Sequence, residues 1–197
     1  MDPTISNATG ECYGIGTGNN KIWIRDSSCG EGVILRDSMD LSQSGMRYMN
    51  FNGAWGIPFY VQLEYEYRYG ALILDGASPT LRGISFQDIN TTSVLATNLA
   101  QPTFIGGGYV AGNDDESGVT GQAVQVYGGG TPISPMVFEG ASFEATNKGC
   151  GNRDGGRAAI WASQTFIRID NSVVTGGDFG FSIRNSAGMV TNSTINV

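Results

Sequence analysis

The chain has 197 residues, 40% hydrophobic and 15% charged, which is enough for one domain with a core and too apolar for disorder. Its net charge of −7, with eleven scattered Lys and Arg residues, argues against nucleic acid or anionic lipid as a partner, because both require clustered positive charge. The absence of histidine excludes Ser-His-Asp and Cys-His nucleophile systems and any histidine-ligated metal.

Thirty glycines, six prolines and abundant Ser, Thr and Asn favour short strands joined by polar turns, with little helix. No run of about 18 apolar residues is present, so no membrane insertion is expected. The opening M-D-P-T-I-S-N-A-T-G-E lacks the basic start and apolar run of a secretory signal, which predicts a chain without one or a mature piece. Cys12, Cys29 and Cys150 lack C-x-x-C spacing, so zinc is not expected; a Cys12–Cys29 disulfide and free or buried thiols both stay open. Asn7, Asn90 and Asn192 begin glycosylation sequons.

Candidate strands follow at Lys21 to Arg25, Gly32 to Arg36 and Met46 to Phe51. The stretch F-Y-V-Q-L-E-Y-E-Y-R-Y at 59 to 69 then alternates strictly and predicts a single strand. Phe59, Val61 and Leu63 are expected in the core. Tyr65, Tyr67 and Tyr69 continue the same face and are expected at a rim, as contacts to a ligand or another subunit. Glu64 and Glu66 share the opposite, wet face.

From residue 71 the sequence repeats imperfectly in four pieces: 71 to 90, 123 to 147, 158 to 177 and 179 to 197. Each carries an alternating strand, a small polar turn and a second strand. Superposition places Leu72/Leu74, Val124/Val126, Ile160/Ala162 and Phe181/Ile183 in one inward column, and Leu81, Val137, Ile167 and Val190 in another. A period of about 20 residues matches one turn of a solenoid, with Asn at tight bends in left-handed geometry. The longer intervals imply loops at 91–121 and 148–157. Residues 1–70 read as irregular N-terminal strands or a cap, and 71–197 as coils, in one continuous domain. The last piece ends without an obvious cap, which points to a longer solenoid or closure by a partner.

The stretch GGRAAIWASQTFIRIDNSVVTGG resembles a rung of the right-handed parallel β-helices of the pectin-lyase-like group. It is similar in particular to the GGAI-type repeats of polymorphic membrane protein-type adhesins; phage tailspikes share the architecture. The resemblance implies an all-β, right-handed parallel β-helix with inserted loops. It does not select an activity, since the fold carries lyases, hydrolases, tailspike glycosidases and noncatalytic adhesins. Without histidine, the G-H-G motif of the pectin-type hydrolases is absent, so no catalytic residue is assigned.

Asp114, Asp115 and Glu116 form an acidic tip whose oxygens suit Ca²⁺, the one cofactor with a chemical rationale here; the competing reading is a solvated loop. Asp154, with Arg153 and Arg157, forms a second polar group, competing with a surface ion pair. Trp161 falls in an outward column with Ile73, Gln125 and Ser182, as an exposed stacking platform or beneath an inserted loop. The leading expectation is a noncatalytic structural or adhesive module of a fibre, cell surface or virion, extracellular, contacting glycans or neighbouring subunits. The alternative is a carbohydrate-active enzyme, tailspike-like or a polysaccharide lyase, using acids near 112–117 or 150–157 and set roughly 5–10 Å apart in a glycosidase.

Overall fold

The computed structural model describes the backbone alone at residues 4–6, 23–25, 33–36, 45–47, 50–52, 57–58 and 179. It describes backbone and side chains at 59–63, 65–87, 89, 92–110, 122–145, 158–176 and 180–197. Every regular element among these residues is a strand, and none of the described residues forms a helix long and apolar enough to cross a membrane. Six short strands come first: β1 (Thr4–Ser6), β2 (Trp23–Arg25), β3 (Val33–Arg36), β4 (Gly45–Arg47), β5 (Asn50–Asn52) and β6 (Ile57–Val61). The rest come in threes. These are β7 (Glu66–Asp75), β8 (Thr80–Arg82) and β9 (Ser85–Gln87), then β10 (Thr92–Thr97), β11 (Thr103–Ile105) and β12 (Gly108–Val110). After them run β13 (Val124–Tyr127), β14 (Met136–Glu139) and β15 (Ser142–Glu144), then β16 (Ala158–Ser163), β17 (Phe166–Asp170) and β18 (Val173–Thr175). The last three are β19 (Phe179–Arg184), β20 (Ala187–Thr191) and β21 (Thr194–Asn196).

From β7 onward each strand pairs in parallel with the strand three places later. The first sheet runs β3-β7-β10-β13-β16-β19, the second β1-β2-β4-β8-β11-β14-β17-β20, and the third β5-β9-β12-β15-β18-β21. Among the described strands only β6 is antiparallel, laid against β7. Parallel pairing without intervening helices requires compact corners, and the sequence supplies them. In the residue after the first-sheet strands β7, β10, β13, β16 and β19, Gly76, Asn98, Gly128, Gln164 and Asn185 have φ of 71°, 54°, 77°, 53° and 48°. After the second-sheet strands, Gly83, Gly106, Gly140, Asn171 and Asn192 repeat the geometry with φ of 48° to 63°. Glycine and asparagine are the residues that reach this region at least cost.

The corners are also cross-linked between units. The Gly128 amide donates to the Ser163 carbonyl at 2.8 Å and the Gln164 amide to the Arg184 carbonyl at 3.0 Å. The Thr165 amide donates to Ser186 Oγ, and the Ser172 amide to Ser193 Oγ, both at 3.0 Å. Gly107, at φ 93°, is tighter still, because a Cβ there would stand against the Ile84 carbonyl oxygen. Gly107→Ala is therefore expected to lose about 2 kcal/mol or more in urea unfolding, from left-handed strain plus the clash. Gly140→Ala, with no atom within 4 Å of the new methyl, should lose less.

The core is a set of ladders. Leu72, Val94, Val124, Ile160 and Phe181 stand in register, spaced 22, 30, 36 and 21 residues apart. The expected column thus holds, with one unit added. Residues 92–110, expected as part of an excursion, are instead the complete unit β10, β11 and β12. The reason is burial of both faces: Thr92 to Thr97 are all buried, so T-S-V-L-A-T shows no polar alternation to mark it as a strand. The acidic tip beyond it lies outside the described residues.

The second column also needs a correction. It runs Leu81, Phe104, Phe138, Ile169 and Val190. Val137 faces the other way, opposite Thr103 and Arg168, while Ile167 is buried one pair earlier, opposite Met136. The third sheet adds Phe86, Tyr109, Phe143, Val174 and Ile195. Its rings interlock with those of the second. Phe104 stacks on Phe138 at 4.5 Å and Tyr109 on Phe143 at 5.1 Å, with Phe104 edge-on to Tyr109 at 5.3 Å. In the last unit the ladder positions Ile183, Val190 and Ile195 are 41–44% exposed.

One polar atom sits badly in this core. The Tyr109 hydroxyl is fully buried without a hydrogen-bond partner among the described residues, and burial pushes its pKa far above the usual phenol range. Tyr109→Phe should stabilise the protein by about 1 kcal/mol or more at neutral pH, because an unsatisfied buried hydroxyl is lost. The sign of the pH dependence follows from the raised value. The contribution is intact below about pH 10, where the unfolded phenol is protonated, and declines as pH rises above it. Chemical denaturation of both forms between pH 7 and 11 checks this; the Phe variant should show the shallower alkaline decline.

Candidate functional site

The stretch at 59 to 69 is a hairpin, not a single strand. β6 ends at Val61, residues 62, 63 and 65 turn, and β7 begins at Glu66, with Tyr65 left-handed at φ 58°. The pairs are Phe59 with Arg68, Tyr60 with Tyr67 and Val61 with Glu66. Opposed residues in an antiparallel ladder share a face. Odd-numbered residues before the turn therefore share a face with even-numbered ones after it. Phe59 and Val61 lie on one side, and Tyr67 and Tyr69 on the other. Alternation through the turn conceals this reversal, because both arms read as apolar at odd positions. Leu63, expected in the core, falls in the turn and is 38% exposed.

The Phe59 and Val61 side covers the outer face of the first sheet. Val61 is fully buried and clusters with Ile73, Leu95, Tyr127 and Trp161, with Phe59 packed against them. Trp161 does stand in the outward column, in register with Gln125 and Ser182. It is not an exposed platform, since only 5% of it is accessible. Its ring lies 4.7 Å from that of Tyr127. Beside this cluster Gln125 Nε2 donates to Thr92 Oγ1 at 3.0 Å and to Gln122 Oε1, and the Tyr127 hydroxyl donates to Gln125 Oε1 at 3.2 Å. These buried amides are thus satisfied and hold the Tyr127 ring in place.

The opposite side of the hairpin is open. Tyr60, Tyr67 and Tyr69 are 44%, 66% and 37% exposed, and Tyr65 at the turn is 79% exposed. Tyr60 and Tyr67 meet edge-on at 5.2 Å. On the Phe59 and Val61 side, Glu66 and Arg68 form an ion pair that, part-exposed, contributes little to stability. The structure thus brings Tyr65, Tyr67 and Tyr69 together, separates them from Trp161, and adds Tyr60. Asp114, Asp115, Glu116 and Asp154 lie outside the described residues, as do Glu64, Arg153, Arg157, the three cysteines, Asn7 and Asn90. Asn192 is exposed at a corner. Among the described residues no group of three or more His, Cys, Asp or Glu could hold a metal ion.

A second feature lies where the hairpin turn meets the first corner. A cleft of about 400 Å³ opens between Leu63 and Tyr65 on one side and Asn98, Leu99 and Gln164 on the other, above Tyr127. The Asn98 side-chain amide donates to Asp75 Oδ1 at 2.5 Å. Asn98 and Gln164 escaped the sequence reading. The signal that marks such corners is the repeated amide-hydroxyl pair in S-Q-T, D-N-S, R-N-S and T-N-S at 163–165, 170–172, 184–186 and 191–193. Compared with known proteins, the chain matches no family model, no curated protein and no solved structure.

Proposed function

We propose that the chain winds as a right-handed parallel β-helix that serves as a noncatalytic structural or adhesive module. Cyclic recurrence of three parallel sheets supports the winding. The near-universal right hand of parallel crossovers, about 98% of them, supports the handedness. The module is stiff, since each unit is bonded to the next along three sheets and at the corners. It contacts glycans or neighbouring subunits at a cell surface, fibre or virion. The observation that carries this reading is the open tyrosine face of the hairpin, Tyr60, Tyr67 and Tyr69 with Tyr65 at its end, on an otherwise buried outer sheet face. Amphipathic aromatics so displayed are contact residues by chemistry, offering large apolar area and a hydroxyl at low entropic cost.

The test is Tyr60→Ala with Tyr67→Ala, examined by sedimentation for self-association and on a glycan array. Loss of about tenfold or more in whichever association the wild type shows is expected, as for central interface aromatics. Unchanged association in both assays would refute the tyrosine face as the contact surface.

A further inference from the structure

The cleft at the first corner does not end there. A second depression, of about 770 Å³, continues from it along the next unit past Thr165, Phe166, Asn185 and Ser186. Gln164 lines both, so the two adjoin at that side chain along the stacking direction and are treated together as one groove. Both volumes fall within the roughly 300–1,000 Å³ of small-molecule sites.

The lining is selective in chemistry. In a chain of net charge −7, no Asp, Glu, Lys or Arg among the described residues lines either depression. The carboxylate of Asp75, bonded to the lining Asn98, disfavours an acidic ligand there. What the groove does offer is planar amides, from Asn98, Gln164 and Asn185, and the hydroxyls of Thr165 and Ser186, beside the rings of Tyr65 and Phe166. Amides and hydroxyls both donate and accept, as sugar hydroxyls do, and ring faces receive an apolar C–H surface.

The backbone adds a second argument. Leu99 is left-handed, at φ 64°, and 76% exposed; Tyr65 is left-handed and more exposed still. Left-handed backbone is disfavoured for any residue with a Cβ, and core burial offsets the strain at neither position. Gly128 clears space for one of them, since a Cβ there would lie 3.3 Å from Leu99 Cδ2. Two strained, exposed apolar side chains thus stand at the cleft without a packing reason.

We propose that this groove binds a neutral oligosaccharide of at least two sugar rings, lying along the corner from Tyr65 to Ser186. The inference rests on the reading of the chain as a contact module and assigns that module a ligand. It is tested on an array of neutral and acidic glycans, followed by calorimetric titration of the strongest neutral binder. The key variant is Tyr65→Gly with Leu99→Gly, which removes both side chains while relieving the left-handed strain, so the fold is kept. Wild type should bind neutral oligosaccharides; the double glycine variant should lose about tenfold or more in affinity with its melting temperature unchanged or raised. Preference for acidic glycans, or full affinity in the double glycine variant, would overturn the proposal. Absence of any glycan binding, with self-association through the tyrosine face intact, would overturn the groove and leave the contact module standing.

Discussion

Trp161→Ala lowers the unfolding free energy by about 3–5 kcal/mol, the cost of emptying a covered aromatic site. A tryptophan exposed on a flat sheet face would lose within about 0.5 kcal/mol on the same change. The difference arises from the hairpin: Val61 is fully buried in the same cluster, and Phe59 packs on it. Val61→Ala should therefore couple to Trp161→Ala. In a double-mutant cycle, truncation of both is expected to cost about 0.5 kcal/mol or more less than the sum of the single losses, because the second change enlarges a cavity already made. Strict additivity would mean that the hairpin does not cover the tryptophan. Urea unfolding of the two single variants and the double variant reads this directly.

Val94→Asp is the second large effect, and it addresses the unit that the repeat pattern conceals. Val94 is fully buried between Leu72 and Val124 in the central ladder. A carboxylate there has no cation to pair with along the apolar ladder, so it is either buried uncompensated or forces the strand out. Either outcome costs several kcal/mol, enough to unfold a domain of ordinary stability. In a surface excursion the same substitution would be tolerated. Circular dichroism and a melting curve of the purified variant decide between the two.

These two positions also show how far the sequence can be read. The ladder of Leu72, Val124, Ile160 and Phe181 and the outward column of Ile73, Gln125, Trp161 and Ser182 were legible, because strand, polar turn and second strand recur together in those four pieces. Val94 and Leu95 belong to the same two columns and were missed. Both faces of β10 are buried, so periodicity has no polar partner against which to register. Val137 was taken for Phe138 because Met136, Val137 and Phe138 form an unbroken apolar run in which no polar residue marks the inward face. The hairpin was hidden by its own regularity, since a four-residue turn preserves the odd-even alternation while exchanging faces. Among the candidate site residues, the amphipathic character of Tyr65, Tyr67 and Tyr69 was readable, and their exposure follows from it. A cover over Trp161 was one of the two readings, but its source in the hairpin was not readable, since it depends on a fold-back that no local pattern encodes. The corner groove escaped for a related reason: Leu99 and Gln164 are distant in sequence and adjacent only once the units stack.

The central claim is that three strands per unit recur in register, with the unit at 92–110 inserted between those at 66–87 and 124–144. Nuclear Overhauser contacts between backbone protons of neighbouring parallel strands, about 4.8 Å apart, test it most directly. The account predicts contacts from the Val94 row to both the Leu72 and Val124 rows, and none between Leu72 and Val124 themselves. Direct contacts between the Leu72 and Val124 rows, with none to Val94, would contradict it.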